Sequence, residues 1–341
     1  MPNTRIDLVV GTYTRLGGRG LIPLTFDSAV DRWTLGEPAA ITNASFGVHS
    51  TRHRLYYFVE EADVGRVSSH AGPPLGWHRT ARVPTEGAAP CHLALNPAQD
   101  RLAVANYESG SVGLFRLAGD GTPITPPALC QLIGSGPNRE RQEHSHAHWV
   151  GFDGTGQRLH CVDLGGDRII GFSLTNDDLS EPFVAYRAPS GTGPRHLAYR
   201  PGTPFALLIS ELASTLTVLR LAEDGTFAPL HTVSTLPADD PDSLGGAIAI
   251  NRAGTCVYVT NRGHDSIAVF SLDGAELRLL QHVPSAGASP RHILLLEAAA
   301  RLLVANEEGG TVAAFAIEAD GRLTPHPQMI EIPGAVFLAE V

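Results

Sequence analysis

The sequence predicts an all-β fold, a seven-bladed β-propeller with four-stranded blades. Three observations lead there. The 341 residues include 36 glycines and 25 prolines but few apolar runs at helical spacing, as expected of many short strands joined by turns. One unit recurs, an apolar strand ending on Asn, Asp or Glu, then a small-residue turn and a second strand. Its copies fall at blade length: from Glu60 to Asn106, Asp163 to Glu211, Glu211 to Asn261 and Asn261 to Asn306 the steps are 45–50 residues.

In chain order the units open with the weakest, Leu8–Thr14 followed by Gly20–Asp27. The other six are Leu55–Glu60, Leu102–Asn106, Leu159–Asp163, Ala206–Glu211, Cys256–Asn261 and Leu302–Asn306. The step from Asn106 to Asp163 is longer, 57 residues, so that unit carries an insertion, assigned to Gly134–His144, a candidate functional loop. The last run, Ala335–Glu340, has strand character but no unit of its own. Pairing with the N-terminal unit would close the ring and remove open edges. Residues 1–341 are therefore expected to form one propeller domain.

Composition narrows the function. With 43% hydrophobic and 18% charged residues the chain can bury a large core. A net charge of −10 argues against a nucleic-acid surface. All 25 basic residues are Arg, which excludes Schiff-base chemistry and a lysine base and leaves anion binding to guanidinium groups. No export signal and no bilayer-length apolar run is visible, so a soluble, cytoplasmic monomer is expected, without membrane or nucleic-acid partners. Cys91, Cys130, Cys161 and Cys256 lack the spacing of a zinc ribbon or a disulfide framework and read as free thiols.

A second signal precedes the strands at a constant offset. Phe46, His92, His148, His196 and His292 each stand 14 or 15 residues before the polar end of their unit. Equivalent positions of propeller blades ring the central axis, which predicts that His92, His148, Arg195, Glu211, Arg262 and Arg291 converge. Part of this is architecture alone, since Pro-Arg-His occurs both at Pro194–His196 and at Pro290–His292.

At these residues the chain resembles the bacterial and fungal lactonase family, which includes propeller-type 6-phosphogluconolactonases and a fungal carboxymuconate-lactonizing enzyme. The resemblance runs nearly end to end. Its motifs are Gly11–Thr14, Pro90–Leu93, Ala105–Val112, Arg141–His148, Asp163–Gly165, Gly193–Leu197, Ser210–Leu212 and Thr260–Gly263. It implies a site in a central cleft made of a His, two Arg and a Glu, which fall on His148, Arg195, Glu211 and Arg262. It also implies a small lactone substrate, with 6-phosphogluconolactone leading and an unphosphorylated aldonolactone or a muconolactone as alternatives. A non-catalytic interaction platform is the remaining alternative, and 6% aromatic content offers little for such a rim.

The chemistry fits these residue types. Lactone hydrolysis needs a base for water and donors for an oxyanion. We assign His148 as base with Glu211 orienting it, while Arg195 and Arg262 stabilise negative charge. Glu211 held in a salt bridge with Arg262 is the competing assignment. His92, His146, Arg141, His196 and Arg291 are expected to bind substrate, and Arg141, in the insertion, is placed to reach over the cleft. His144, His146 and His148 alternate on an expected strand, which would put all three on one face. Hydrogen bonding is the expected role there, with no metal and no cofactor.

Overall fold

The computed structural model describes residues 4–73, 76–175, 178–238 and 242–341; the side chains of residues 175 and 325–328 lie outside that description. Seven antiparallel sheets follow one another along the chain, and the fold is a seven-bladed β-propeller. Strands that packing covers on both faces are mainly apolar. Leu55–Glu60 and Ala147–Phe152 are buried at every position. Outer strands such as His78–Pro84 and Phe227–Ser234 face solvent at most positions.

The chain divides into two compact units, one of residues 1–43, 198–220 and 229–341, the other of residues 44–197 and 221–228. The second unit contains Gly47–Ser50, Leu55–Glu60, Arg66–Ala71 and His78–Pro84 as one sheet, and Pro90–Leu95, Arg101–Asn106, Ser111–Arg116 and Ala128–Gln131 as the next. Leu55, Tyr57 and Val59 of the former share a core with Leu93, Leu102, Val104 and Phe115 of the latter. Each such buried side chain stabilises the fold by about 1.5–3 kcal/mol relative to exposure. The third sheet of this unit departs from the expected four strands. Both Asp178–Leu179 and Phe183–Arg187 pair with Arg168–Thr175, giving five. Pro182, which has no N–H to give, lies in the gap between them.

The first unit contains the sheets Leu244–Ile250 to Glu276–Pro284 and Pro290–Leu296 to Leu323–Glu331, whose facing sides share Tyr258, Ile267, Val269, Leu302, Val304 and Phe315. It also holds the strand expected to close the ring. Ala335–Glu340 pairs antiparallel with Arg5–Thr12, Leu8 opposite Glu340 and Val10 opposite Leu338, so the N-terminal sheet is completed by the C-terminal strand. The sheet built from Pro194–Tyr199, Phe205–Ser210, Thr215–Leu221 and Phe227–Ser234 has residues in both units.

A tie recurs at one register. Three residues before the polar strand end, Tyr57 donates to the carbonyl of Gly121 at 2.7 Å and Tyr258 to that of Gly321 at 3.0 Å. His160, at the same position, lies 2.9 Å from the carbonyl of Gly225. Each glycine has φ between 86° and 89°, which favours Gly, and follows an Asp whose carboxylate accepts the N–H two residues on. Burial pushes the Tyr57 hydroxyl up to about 12, helped by Asp120, so it remains a donor.

Candidate active site

In the second unit, three histidines meet. His92 lies on Pro90–Leu95, His148 on Ala147–Phe152 and His196 on Pro194–Tyr199. The His196 ring is edge-on to both others, with centroids 5.4 Å from His92 and 5.2 Å from His148. Phe46 stacks on His92 at 4.0 Å and Trp149 borders it at 5.6 Å. The equal sequence offset of these positions is thus a spatial convergence. His92 Nδ1 accepts from the backbone N–H of Val150 at 3.4 Å, so a neutral His92 carries its proton on Nε2.

Arg195, one residue before His196, is 2% exposed, and its Nη1 lies 3.2 Å from His196 Nε2. A guanidinium this deep acts in a low dielectric, where its pull on a developing oxyanion exceeds what it would be in water. Tyr107, which the sequence analysis did not single out, joins two parts of the site. Its ring stacks on His146 at 4.4 Å and stands edge-on to His148 at 5.4 Å. Its hydroxyl accepts from Arg141 Nη2 at 3.4 Å, so the inserted segment contacts a neighbour of His148 through this tyrosine.

The expected strand through His144, His146 and His148 is corrected. The strand begins at Ala147, and its register shifts between Ala147 and Trp149. Asp163 is the reason: its carboxylate accepts the His146 N–H at 2.9 Å, the Ser145 hydroxyl at 3.0 Å and the Arg168 Nε–H at 2.9 Å. Held this way, His144 and His146 bring their rings to 4.3 Å and meet Glu143, not His148. One ligand atom from each of Glu143, His144 and His146 lies within 4.8 Å of the others. Glu143's own backbone N–H holds its carboxyl below the usual range, and the imidazoles of His146 and His144 add to this when they carry a second proton.

In the first unit, Glu211 and Arg262 form an ion pair, Oε2 to Nη2 at 2.7 Å, and Arg262 also donates to the carbonyl of Gly245 at 3.1 Å. Arg291 also lies in this unit. It pairs with Glu307 at 3.3 Å and donates to the Tyr13 hydroxyl at 2.9 Å, while Arg15 pairs with Glu307 from the other end of the chain. Glu307 and Tyr13 were missed, yet a signal existed. Aligned on the last strand residue, Asn106, Ser210 and Asn306, the next positions are Tyr107, Glu211 and Glu307. The strand Phe205–Ser210 ends one residue before the Glu211 that the sequence analysis took as its end. The strand-end residues themselves serve turns, as Asn306 does by donating to Thr311 and to the Ser285 carbonyl.

The seven sheets make this chain a seven-bladed β-propeller, and the histidines and Arg195 described above lie within that fold. The chain belongs to the lactonase, 7-bladed beta-propeller family, whose model matches residues 7–339. It is 33% identical to the 6-phosphogluconolactonase of Bacillus subtilis over 97% of this chain and 98% of that one. It resembles the structure of the periplasmic gluconolactonase of Pseudomonas aeruginosa with TM-score 0.92 at 26% identity, covering 99% of both chains. A Lactobacillus plantarum protein matches with TM-score 0.92 at 29% identity over 99% of both. Among the described residues no helix is long and apolar enough to cross a membrane.

Proposed function

We propose that this protein hydrolyses a sugar lactone, with 6-phospho-D-glucono-1,5-lactone the leading substrate. The observation that carries the reading is the convergence of His92, His148 and His196 beside the buried guanidinium of Arg195. In this mechanism His148 takes a proton from water as its oxygen adds to the lactone carbonyl carbon. The carbonyl becomes an oxyanion that Arg195 stabilises. As the tetrahedral intermediate collapses, the bond from the acyl carbon to the ring oxygen breaks, and the imidazolium of His148 returns the proton to that oxygen. The product is the open hydroxy acid, and His148 is neutral again.

Glu211 holds Arg262 in a fixed orientation in this reading and is not the general base; the 2.7 Å ion pair supports that assignment. His92 and His196 bind sugar hydroxyls and Arg141 reads the phosphate, whereas His146, with Nδ1 at the Tyr107 carbonyl and Nε2 beside Glu143, is given no sugar contact in this reading. Arg291 is balanced by Glu307, which supports a lesser share in substrate binding than the sequence suggested. We place the enzyme in the cytoplasm, because a phosphorylated sugar does not cross a bilayer core unaided. Separately, we read it as a monomeric single domain, because a closed propeller leaves no open sheet edge for a partner.

One observation favours the unphosphorylated lactone as second reading. Arg262 and Arg291 each already face a buried carboxylate, so their charge is partly spent before any phosphate arrives. The name of the Pseudomonas relative supports the same alternative.

The test generates 6-phosphogluconolactone in place and follows ring opening against the spontaneous rate, with glucono-1,5-lactone in parallel. Acceleration of the phosphorylated substrate that His148→Ala abolishes supports the first reading. Acceleration of the unphosphorylated lactone alone supports the second, and none with either overturns both.

A further inference from the structure

We propose that Glu143, His144 and His146 form a binding site for a divalent transition-metal ion of the zinc and cobalt class, independent of the hydrolytic reading above. The inference starts from tautomers. His146 Nδ1 lies 3.1 Å from the carbonyl of Tyr107 and His144 Nδ1 lies 2.9 Å from the carbonyl of Ser145. A carbonyl oxygen only accepts, so both neutral rings carry their proton on Nδ1 and present a lone pair at Nε2. A histidine metal ligand takes this form, the far nitrogen tied to a backbone carbonyl and the near one left for the ion.

The two Nε2 atoms point to one place. Glu143 Oε1 lies 3.4 Å from that of His144 and 3.2 Å from that of His146, and the three donors fit within 4.8 Å. The His146 side chain is 3% exposed, and its Nε2 makes no hydrogen bond of acceptable geometry among the described residues despite the nearby carboxylate. A buried polar atom left so costs about 1–3 kcal/mol, a penalty that coordination removes. Two imidazoles and a carboxylate suit zinc, cobalt or nickel better than magnesium or calcium, which prefer oxygen alone. With Glu143 and His144 each nearly half exposed, ions can enter and water can complete the coordination.

The site is also built before the ion arrives. Gln142 donates to the carbonyl of Leu164 at 2.9 Å, and Asp163 fixes the backbone of His146. Two glycines allow the segment to lie where it does. A Cβ on Gly165 would stand 1.8 Å from the His144 carbonyl oxygen, and one on Gly110 would stand 2.1 Å from that of Ser145. Ordering these ligands therefore adds little cost to binding.

The experiment strips the full chain with EDTA, removes the chelator, and titrates it with Co²⁺ by visible absorption and with Zn²⁺ by calorimetry. Wild type is expected to bind one equivalent, with cobalt d–d bands and no thiolate-to-cobalt band in the near ultraviolet. Glu143→Gln and His144→Ala, both at exposed positions, should keep the wild-type circular dichroism. Each should weaken binding by more than the roughly 10–100-fold that losing an outer-shell partner costs. Absence of one bound equivalent in wild type overturns the proposal, as does unchanged affinity in both variants.

Discussion

Glu211 and Arg262 face each other at 2.7 Å with both side chains largely out of water, 1% and 12% exposed. At that depth each charge depends on the other. Replacing Glu211 by Gln keeps the shape but removes the counter-charge, and breaking a buried pair from one side costs about 3–5 kcal/mol. Glu211→Gln should lose stability on that scale in urea unfolding, and kcat/KM should fall with it. If Glu211 served only as a base, kcat would fall with stability intact.

His148 and Arg195 should separate by kinetics. Loss of a general base lowers the rate by about 10²–10⁴, and loss of one oxyanion donor by about 10²–10³. His148→Ala is expected to lower kcat in the first range and Arg195→Ala in the second. The double variant should fall short of the product of the two, since both act on one transition state. Steady-state rates corrected for spontaneous ring opening measure all three.

His70 gives the fold an acid limit. Burial, with repulsion from Arg79, lowers its pKa to about 4, and Glu60 offsets this only in part. Unfolded imidazole titrates near 6.5, so between about 6.5 and 4 the unfolded state binds the extra proton and stability falls as pH falls. Above that window His70 is neutral in both states and contributes no slope. His70→Phe should flatten the decline between pH 6.5 and 4 in urea unfolding, and an unchanged slope would assign it to other groups.

The hydroxyl ties offer a mild test. Tyr57→Phe and Tyr258→Phe each remove a buried hydrogen bond and should cost about 1 kcal/mol. Gly321→Ala should cost more, because its Cβ would meet Cys256 Sγ at 2.4 Å and its φ of 88° disfavours a side chain. Thermal unfolding ranks the three, and the reverse order would mean that the turn, not the glycine, sets the contact.

Chelation should leave hydrolysis unchanged. The base and oxyanion donor of the proposed reaction are His148 and Arg195, neither of which belongs to the Glu143, His144 and His146 cluster. Assay of the EDTA-treated chain against the same sample reloaded with zinc checks this, and activity that zinc alone restores would make the ion part of the reaction.

The propeller was legible because each blade states its own pattern. Strands such as Leu55–Glu60 and Arg301–Asn306 are apolar where packing covers both faces, and their polar ends recur once per blade. The equal offset of His92, His148 and His196 carried their convergence for the same reason, as did the run Ala335–Glu340, which would otherwise leave an edge unpaired. By itself the sequence therefore determined the repeat, its closure and the residues that share a register, all consequences of local periodicity. Only the tertiary structure decided how those residues pair. Asp163 ends the expected strand at His146 and turns His144 toward Glu143, while Glu211 meets Arg262 and Glu307 collects Arg15 and Arg291 from opposite ends of the chain. A period gives a side chain its place along a blade but not its partner, because hydrogen bonds and ion pairs depend on distances of a few tenths of an ångström between segments far apart in sequence.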